Sequence, residues 1–557
     1  MKLLIREYLS LLKESGELDK LLPRLLINMG IIPLTTAQIG VRQNGVDIAA
    51  IKTNKDKSKE LYLFVIKRGD INRKVWDDGP QGVRATLNEI IDVYLKSRID
   101  SKYKDVPKKI ILCTGGELKQ EVESNWQGFT NQKNSNLEFD FWGGDALSDL
   151  ISVHLFNENI LSNELRSNLR KALATLTEPE AALEEYTKIL NSLLLDNGEK
   201  QSKPTLLKNL RTLVVCQSII HFWSMSEKNL KPSILCSERT VLLFWNYIYS
   251  HNLQKDRKVI DCMNDSFMTL YSAYVEFFKK INPRCNVKYG LYGYSGDPSQ
   301  QCVSFFEQLG LLSTFGILFY EQEFMHNPEK ASDAAKLLTN TIKSMINNHP
   351  VSTAPCYDQH IIEISQTIYL LNLFDEKDFI KSWIEAIVDD VAFAYFHLGR
   401  YFPISSDSFE DLIELNKSNS LKKESLFELS TLLPILVSWC VVLDMKDTYS
   451  FVIQTINQIF SHATLQIWHP DSDSESKLYI ANAATSTGAM EAPINFSDKF
   501  DDTVNMMMKL KERLSKNSEF SCNQHGFGYI VQLASRHFRT PPISASWLHY
   551  LKPTTAA

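Results

Sequence analysis

Apolar positions recur at helical spacing from the start of the chain. Leu3, Leu4, Tyr8, Leu11, Leu12, Leu18, Leu21, Leu22 and Leu25 predict one or two helices over residues 2 to 29, suited to covering a sheet. The pattern then changes. Two apolar runs, Gly45-Val46-Asp47-Ile48 and Leu61 to Ile66, are split by the polar stretch Thr53 to Lys59, which predicts a β-hairpin. Leu87, Ile90, Ile91 and Tyr94 form one stripe and predict a helix over 84 to 95. Lys109 to Thr114 is a short apolar run ended by Gly115-Gly116, as in a buried central strand. A helix over 120 to 126, an alternating strand over 137 to 142 and a helix over 146 to 156 complete the series.

Beyond residue 160 amphipathic segments follow one another with few strand signals. Residues 165 to 176 and 181 to 195 read as helices, and Asn197 to Pro204 as a linker. Residues 361 to 374 and 377 to 390, joined by Asp375-Glu376, predict an antiparallel helix pair. No strict repeat emerges, so this region is either a degenerate solenoid or a bundle. Tyr289, Gly290, Tyr292, Gly293, Tyr294 and Gly296 mark an aromatic, glycine-rich loop over 282 to 301, best read as an ordinary connection.

At 557 residues the chain exceeds one ordinary core. Its 44% hydrophobic and 23% charged content is that of a globular protein, and its formal charge of -6 excludes a basic nucleic-acid binder throughout. Residues 1 to 150 carry 23 Lys and Arg against 21 Asp and Glu, so the mild positive bias lies with the hairpin region. The nine cysteines form no CxxC pair, which predicts reduced, buried thiols and a cytoplasmic protein. The longest apolar stretch noted, Leu432 to Leu443, falls short of the roughly 20 residues that span a bilayer, so no membrane partner is expected.

The hairpin is expected to set Asp47 opposite Ile66 or Lys67. Opposed residues have Cβ atoms about 5 Å apart, close enough for a carboxylate and an ammonium to share one phosphate. Downstream, Arg68, Arg73, Lys74 and Arg84 supply cations that can hold DNA phosphates, and Trp76 could stack on an exposed base. Gln81, Arg84 and Asn88 fall at spacings of three and four on one side of the next helix.

Gly-Val-Asp-Ile followed by a hydrophobic strand ending in Lys67-Arg68 resembles the PD-(D/E)xK nucleases, in particular Mrr-like restriction-endonuclease domains of bacterial defence systems. The resemblance covers about residues 1 to 160. It implies that Asp47 binds a divalent metal, Mg²⁺ or Mn²⁺, and that Lys67 contacts the attacking water and the phosphate. Val65 stands where the family carries its second acidic ligand, and strand alternation points it the same way as Lys67. A hard cation requires oxygen, which valine lacks. Glu60 and Asp70 are odd-numbered steps from Lys67 and face away in a regular strand, unless a turn at Gly69 returns Asp70. Glu7, Glu14 and Glu17 on the N-terminal helix are further candidates for the missing ligand, and the choice among these, or none, stays open.

The expected architecture is therefore an α/β restriction-endonuclease-like domain over 1–160, with a mixed sheet flanked by helices. A helical connector and linker follow over 161–204, then an all-α sensor or partner-docking region over 205–557. No GxxxxGK[ST] or HExxH motif is present. The resemblance implies a metal-dependent DNA endonuclease, an effector of antiphage defence in a homo- or hetero-oligomer, working with a second protein such as an ATPase. The alternative is a catalytically inactive nuclease fold that binds nucleic acid or serves as a scaffold.

Overall fold

The computed structural model describes residues 2–35, 44–54, 56–131, 137–155, 162–194, 202–292, 296–417, 423–471, 473–480, 487–515, 520–543 and 545–552. It divides into two compact units, Met1–Cys236 and Ser237–Ala557. The helices that follow residue 160 as far as Cys236 thus belong with the sheet. Of the linker candidate, residues 197–201 lie outside the described residues.

The first unit opens with α1 (Lys2–Leu11), a π turn (Glu14–Leu18) and α2 (Asp19–Asn28). A five-stranded mixed sheet follows, in the order β1 (Ile31–Pro33), β2 (Ile48–Thr53), β3 (Lys59–Lys67), β4 (Lys108–Thr114) and β5 (Leu137–Trp142). The β1, β2 and β3 pairings are antiparallel, whereas β3, β4 and β5 run parallel. Crossovers that return parallel need helices, supplied between β3 and β4 by α3 (Arg73–Trp76), α4 (Val83–Glu89) and α5 (Leu95–Ser97), and between β4 and β5 by α6 (Gln120–Thr130). The three-residue β1 carries too short a pattern to be read from sequence. Next come α7 (Gly144–His154), α8 (Asn163–Ala174), α9 (Pro179–Leu194) and α10 (Lys203–Ser226).

Alternation sorts the strands into two buried faces. Ala49, Ile51, Leu61, Leu63, Val65, Ile110 and Leu112 pack with Trp76, Val83, Leu87, Ile90, Val122 and Phe129 on the α3, α4 and α6 side. Ile48, Ala50, Tyr62, Phe64, Ile66, Ile111 and Cys113 occupy the other face, equally removed from solvent. The π turn lies against β3, and α1 packs on α7. Gly115 is required where α1 crosses the end of β4, because a Cβ there would collide with the Leu9 carbonyl. Gly144 N–H donates to Gly116 O at 2.7 Å, fixing the start of α7 to the same turn.

From Lys231–Ser250 (α11) onward the chain is mainly helical but not all-α as expected, since two two-stranded sheets pair Leu429–Ser430 with Thr464–Leu465 and Ile467–His469 with Ala489–Glu491. In the second unit α13 (Pro298–Phe319) touches α12 (Arg257–Cys285), α14 (Pro328–Asn348), α15 (Ile361–Leu373) and the helix Tyr529–His537. The expected pair is present as α15 and α16 (Lys377–Phe393), with Asp375 turning through a positive φ of 60° between them. Pro298–Phe324 is long and apolar enough to cross a membrane by length and composition, an exception to the sequence expectation. With 78% of its apolar window buried, it serves as a core helix.

The second unit also buries an ionic network. Glu238 is fully enclosed, contacts the Arg536 guanidinium and accepts the Tyr274 hydroxyl. His537 Nδ1 lies 2.8 Å from the same carboxylate, and Arg536 Nε donates to Thr314 Oγ1 at 2.9 Å. Burial alone would raise the Glu238 pKa, but Arg536 and His537 outweigh it and hold the carboxyl below its ordinary value.

Candidate active site

The hairpin closes about Asp56, the middle of its loop, with Thr53 paired to Lys59. Asn54 N–H donates to Ser58 O at 2.9 Å, and Lys57 takes a φ of +69° to close the turn. The resulting register pairs Ile48 with Phe64, so its continuation sets Asp47 against Val65 and not against Ile66 or Lys67. Asp47 leaves the regular ladder. Its N–H donates to Phe64 O at 2.9 Å and its Oδ2 accepts the Ile66 N–H at 2.7 Å, a side chain taking the place of a backbone carbonyl. Such a local break re-aims a side chain, and here Val46 enters the core beside Val65 in place of Asp47.

Val65 is fully buried among Leu61, Leu63 and Leu112. The carboxylate's electrostatic neighbours are Glu14, Lys67, Asp19 and Cys113, which place it toward the π turn at the sheet's end. Burial, reinforced by Glu14 and Asp19, pushes the Asp47 pKa up to about 6, although the Ile66 amide and Lys67 oppose the rise. Burial likewise raises Glu14, offset by Lys67 and by the Arg68 amide that its carboxylate accepts.

Glu14 is thus the candidate acid that interacts electrostatically with both Asp47 and Lys67. The other candidates are engaged elsewhere. Glu17 Oε2 accepts the Lys13 N–H at 2.7 Å. Gly69 does turn, with φ +62°, but Asp70 accepts the Glu117 N–H at 2.9 Å and pairs with Lys119 at 2.8 Å. Glu60 accepts from Asn54 and Tyr62. Glu7 is in α1, and its side chain lies outside the described residues.

Asp19 was not legible as a site residue. In an α-helix, residues five apart do not share a face, but the π turn joins Glu14 O to the Asp19 N–H and sets the two acids one turn apart. Asp19 Oδ1 is a buried oxygen without a hydrogen-bond partner. That orphaned oxygen, with two neighbouring carboxylates of raised pKa, fits a hard divalent cation. Among the described residues the three-ligand group drawn within 4.8 Å is formed by Cys302, Cys356 and His360, not by these acids, so metal binding here requires the carboxylates to close.

Lys67 Nζ donates to Gln81 O at 3.0 Å, tying the end of β3 to the turn before α4. Arg68, Arg73, Lys74, Gln81 and Arg84 are exposed near this strand end. Gln81 sits in the 3₁₀ turn Gly79–Gln81 and not on the helix with Arg84. Trp76 must be withdrawn as a stacking residue. It is 2% exposed and packs edge-on against Trp126 and Phe129, at centroid distances of 6.3 and 6.2 Å. In the aromatic loop Tyr292 packs edge-on to His349 and its hydroxyl accepts the Val351 N–H, whereas Tyr289 is exposed; residues 293–295 lie outside the described residues.

Compared with known proteins, the chain matches no family model, no curated protein and no solved structure.

Proposed function

We propose that the first unit carries a restriction-endonuclease-like domain and that the chain is a metal-dependent DNA endonuclease. The observation that carries this reading is the buried, unpartnered Asp19 Oδ1 beside Asp47 and Glu14, with Lys67 on the same strand end. Under it, Asp47, Glu14 and Asp19 hold Mg²⁺ or Mn²⁺. A bound ion of this kind supplies a Lewis acid and lowers the pKa of coordinated water. The Lys67 ammonium neutralises charge on the scissile phosphate, while Arg68, Arg73, Lys74 and Arg84 hold phosphates on either side. The helical remainder controls activation or docks a second protein, and its place in antiphage defence is supported by family resemblance and domain arrangement alone.

The test is supercoiled plasmid incubated with Mg²⁺ or Mn²⁺ and the purified chain, beside Asp47→Ala and Lys67→Ala. Metal-dependent nicking by the native chain, lost in both variants, is expected. Equal nicking by all three proteins, or none even with a candidate partner added, removes the enzymatic reading.

One observation favours a second reading, a nuclease fold that binds DNA without cutting it. Lys67 Nζ donates to the Gln81 carbonyl, as befits a lysine that anchors a turn. This reading expects DNA binding without a divalent ion and unchanged by Asp47→Asn.

A further inference from the structure

We propose that Cys302, Cys356 and His360 bind one zinc ion inside the helical unit. One ligand atom from each residue lies within 4.8 Å of the others, and all three residues are buried. A tetrahedral ion on these three residues takes water in its fourth position, and with Zn–S near 2.3 Å its sulfurs stand about 3.7 Å apart, so closing the site takes side-chain adjustment of about an ångström or less.

His360 supplies the observation that points to a ligand. Its ring is 3% exposed, yet Nδ1 is buried without a hydrogen-bond partner, an uncommon and costly state for an imidazole. The ring is held in place by Phe306, stacked at 4.3 Å, and by Tyr357, edge-on at 5.2 Å.

The surrounding backbone is already fixed. Cys302 lies in the first turns of α13, where Asp297 caps the helix, and its Sγ is 3.3 Å from the Ala354 carbonyl. Ile404 N–H donates to Cys356 O at 3.1 Å and Asp358 N–H to Ile404 O at 2.9 Å. The Asp358 carboxylate in turn accepts the Thr431 N–H at 2.7 Å. A ligand set mounted on such a frame loses little freedom on binding.

Charge selects the ion. Zn²⁺ displaces one proton from each thiol, and the resulting dithiolate–imidazole complex is neutral, which a dry interior tolerates. A monovalent copper ion on the same ligands leaves a net negative charge. Oxygen-seeking Mg²⁺ and Mn²⁺ find two sulfurs here and are disfavoured. With all three ligands enclosed, the ion staples the start of α13 to the 354–360 segment.

The test uses the full chain, purified under reducing conditions and dialysed against a weak chelator. Elemental analysis should find one zinc per chain, and X-ray absorption should find two sulfurs near 2.3 Å. Co²⁺ in its place should give a thiolate charge-transfer band. Cys356→Ser should bind zinc at least tenfold more weakly, whereas Cys440→Ser, altering a buried thiol outside the trio, should retain it. Absence of zinc and of the cobalt band, equal zinc retention in Cys356→Ser, or a native Cys302–Cys356 disulfide would overturn the proposal. Should Cys356→Ser fail to fold, the spectra of the native chain still decide.

Discussion

The Asp47 carboxylate accepts the Ile66 amide at 2.7 Å, a bond that an Asn carbonyl oxygen can also make. Charge can therefore be removed from this position without removing the hydrogen bond that shapes the strand end. Asp47 moves from an ordinary 3.8 to about 6 in the fold. Between those values the unfolded chain has lost its proton while the native chain keeps it, so stability falls as pH rises through this window and stays lower above it. A shift of roughly two pH units corresponds to at most about 3 kcal/mol. Asp47→Asn should be more stable than the native chain at pH 8, by about 1–3 kcal/mol, with the gap closing near pH 4. Urea unfolding in chelator across that range reads this directly, and a gap independent of pH would refute the assignment.

Trp76 belongs to the core beneath the hairpin. Trp76→Ala should lower stability by about 3–5 kcal/mol, as for other buried tryptophans. Any loss of DNA affinity should follow from unfolding: at a temperature where the variant remains folded, its affinity should equal the native value. A selective loss of single-strand binding in folded protein would restore the stacking role.

The exposed cations act differently. Replacing Arg68, Arg73, Lys74 or Arg84 singly by Gln should weaken binding evenly across DNA sequences and reduce the salt slope by about 0.9 for each phosphate left without its cation. Fluorescence anisotropy at several salt concentrations measures both quantities. Unchanged slopes in all four variants would move the DNA path elsewhere.

The hairpin, the central strand ended by Gly115-Gly116, and the α15–α16 pair were legible because each is a local pattern of alternation or helical spacing. The register was not. The strands pair symmetrically about Asp56, which opposes Asp47 to Val65, and a count one or two residues off changes every opposed pair. Lys67 and Val65 do share strand parity, but the break at Asp47 moves the carboxylate off the face that parity assigns it. Asp19 escaped notice for a related reason: its alignment with Glu14 exists only in a π turn, for which the sequence carries no periodic signal. Trp76 lay in a cationic run that masked a core position.

Glu238 is a further residue that sequence could not single out, since its partners stand 36 and nearly 300 positions away. Glu238→Gln removes the carboxylate that contacts Arg536, leaving Glu363 as the remaining acid near it, and should cost about 3–5 kcal/mol. Thermal unfolding of the variant measures this. A loss within error of zero would mean that solvent reaches the network.

The central claim is that Asp47, Glu14 and Asp19 form one divalent-cation site, and Mn²⁺ binding followed by electron paramagnetic resonance tests it most directly. The native chain should bind Mn²⁺, Asp47→Asn and Asp19→Asn should each lose that binding, and Glu60→Gln and Asp70→Asn should keep it. Binding that survives Asp47→Asn, or is absent from the native chain, would contradict the account.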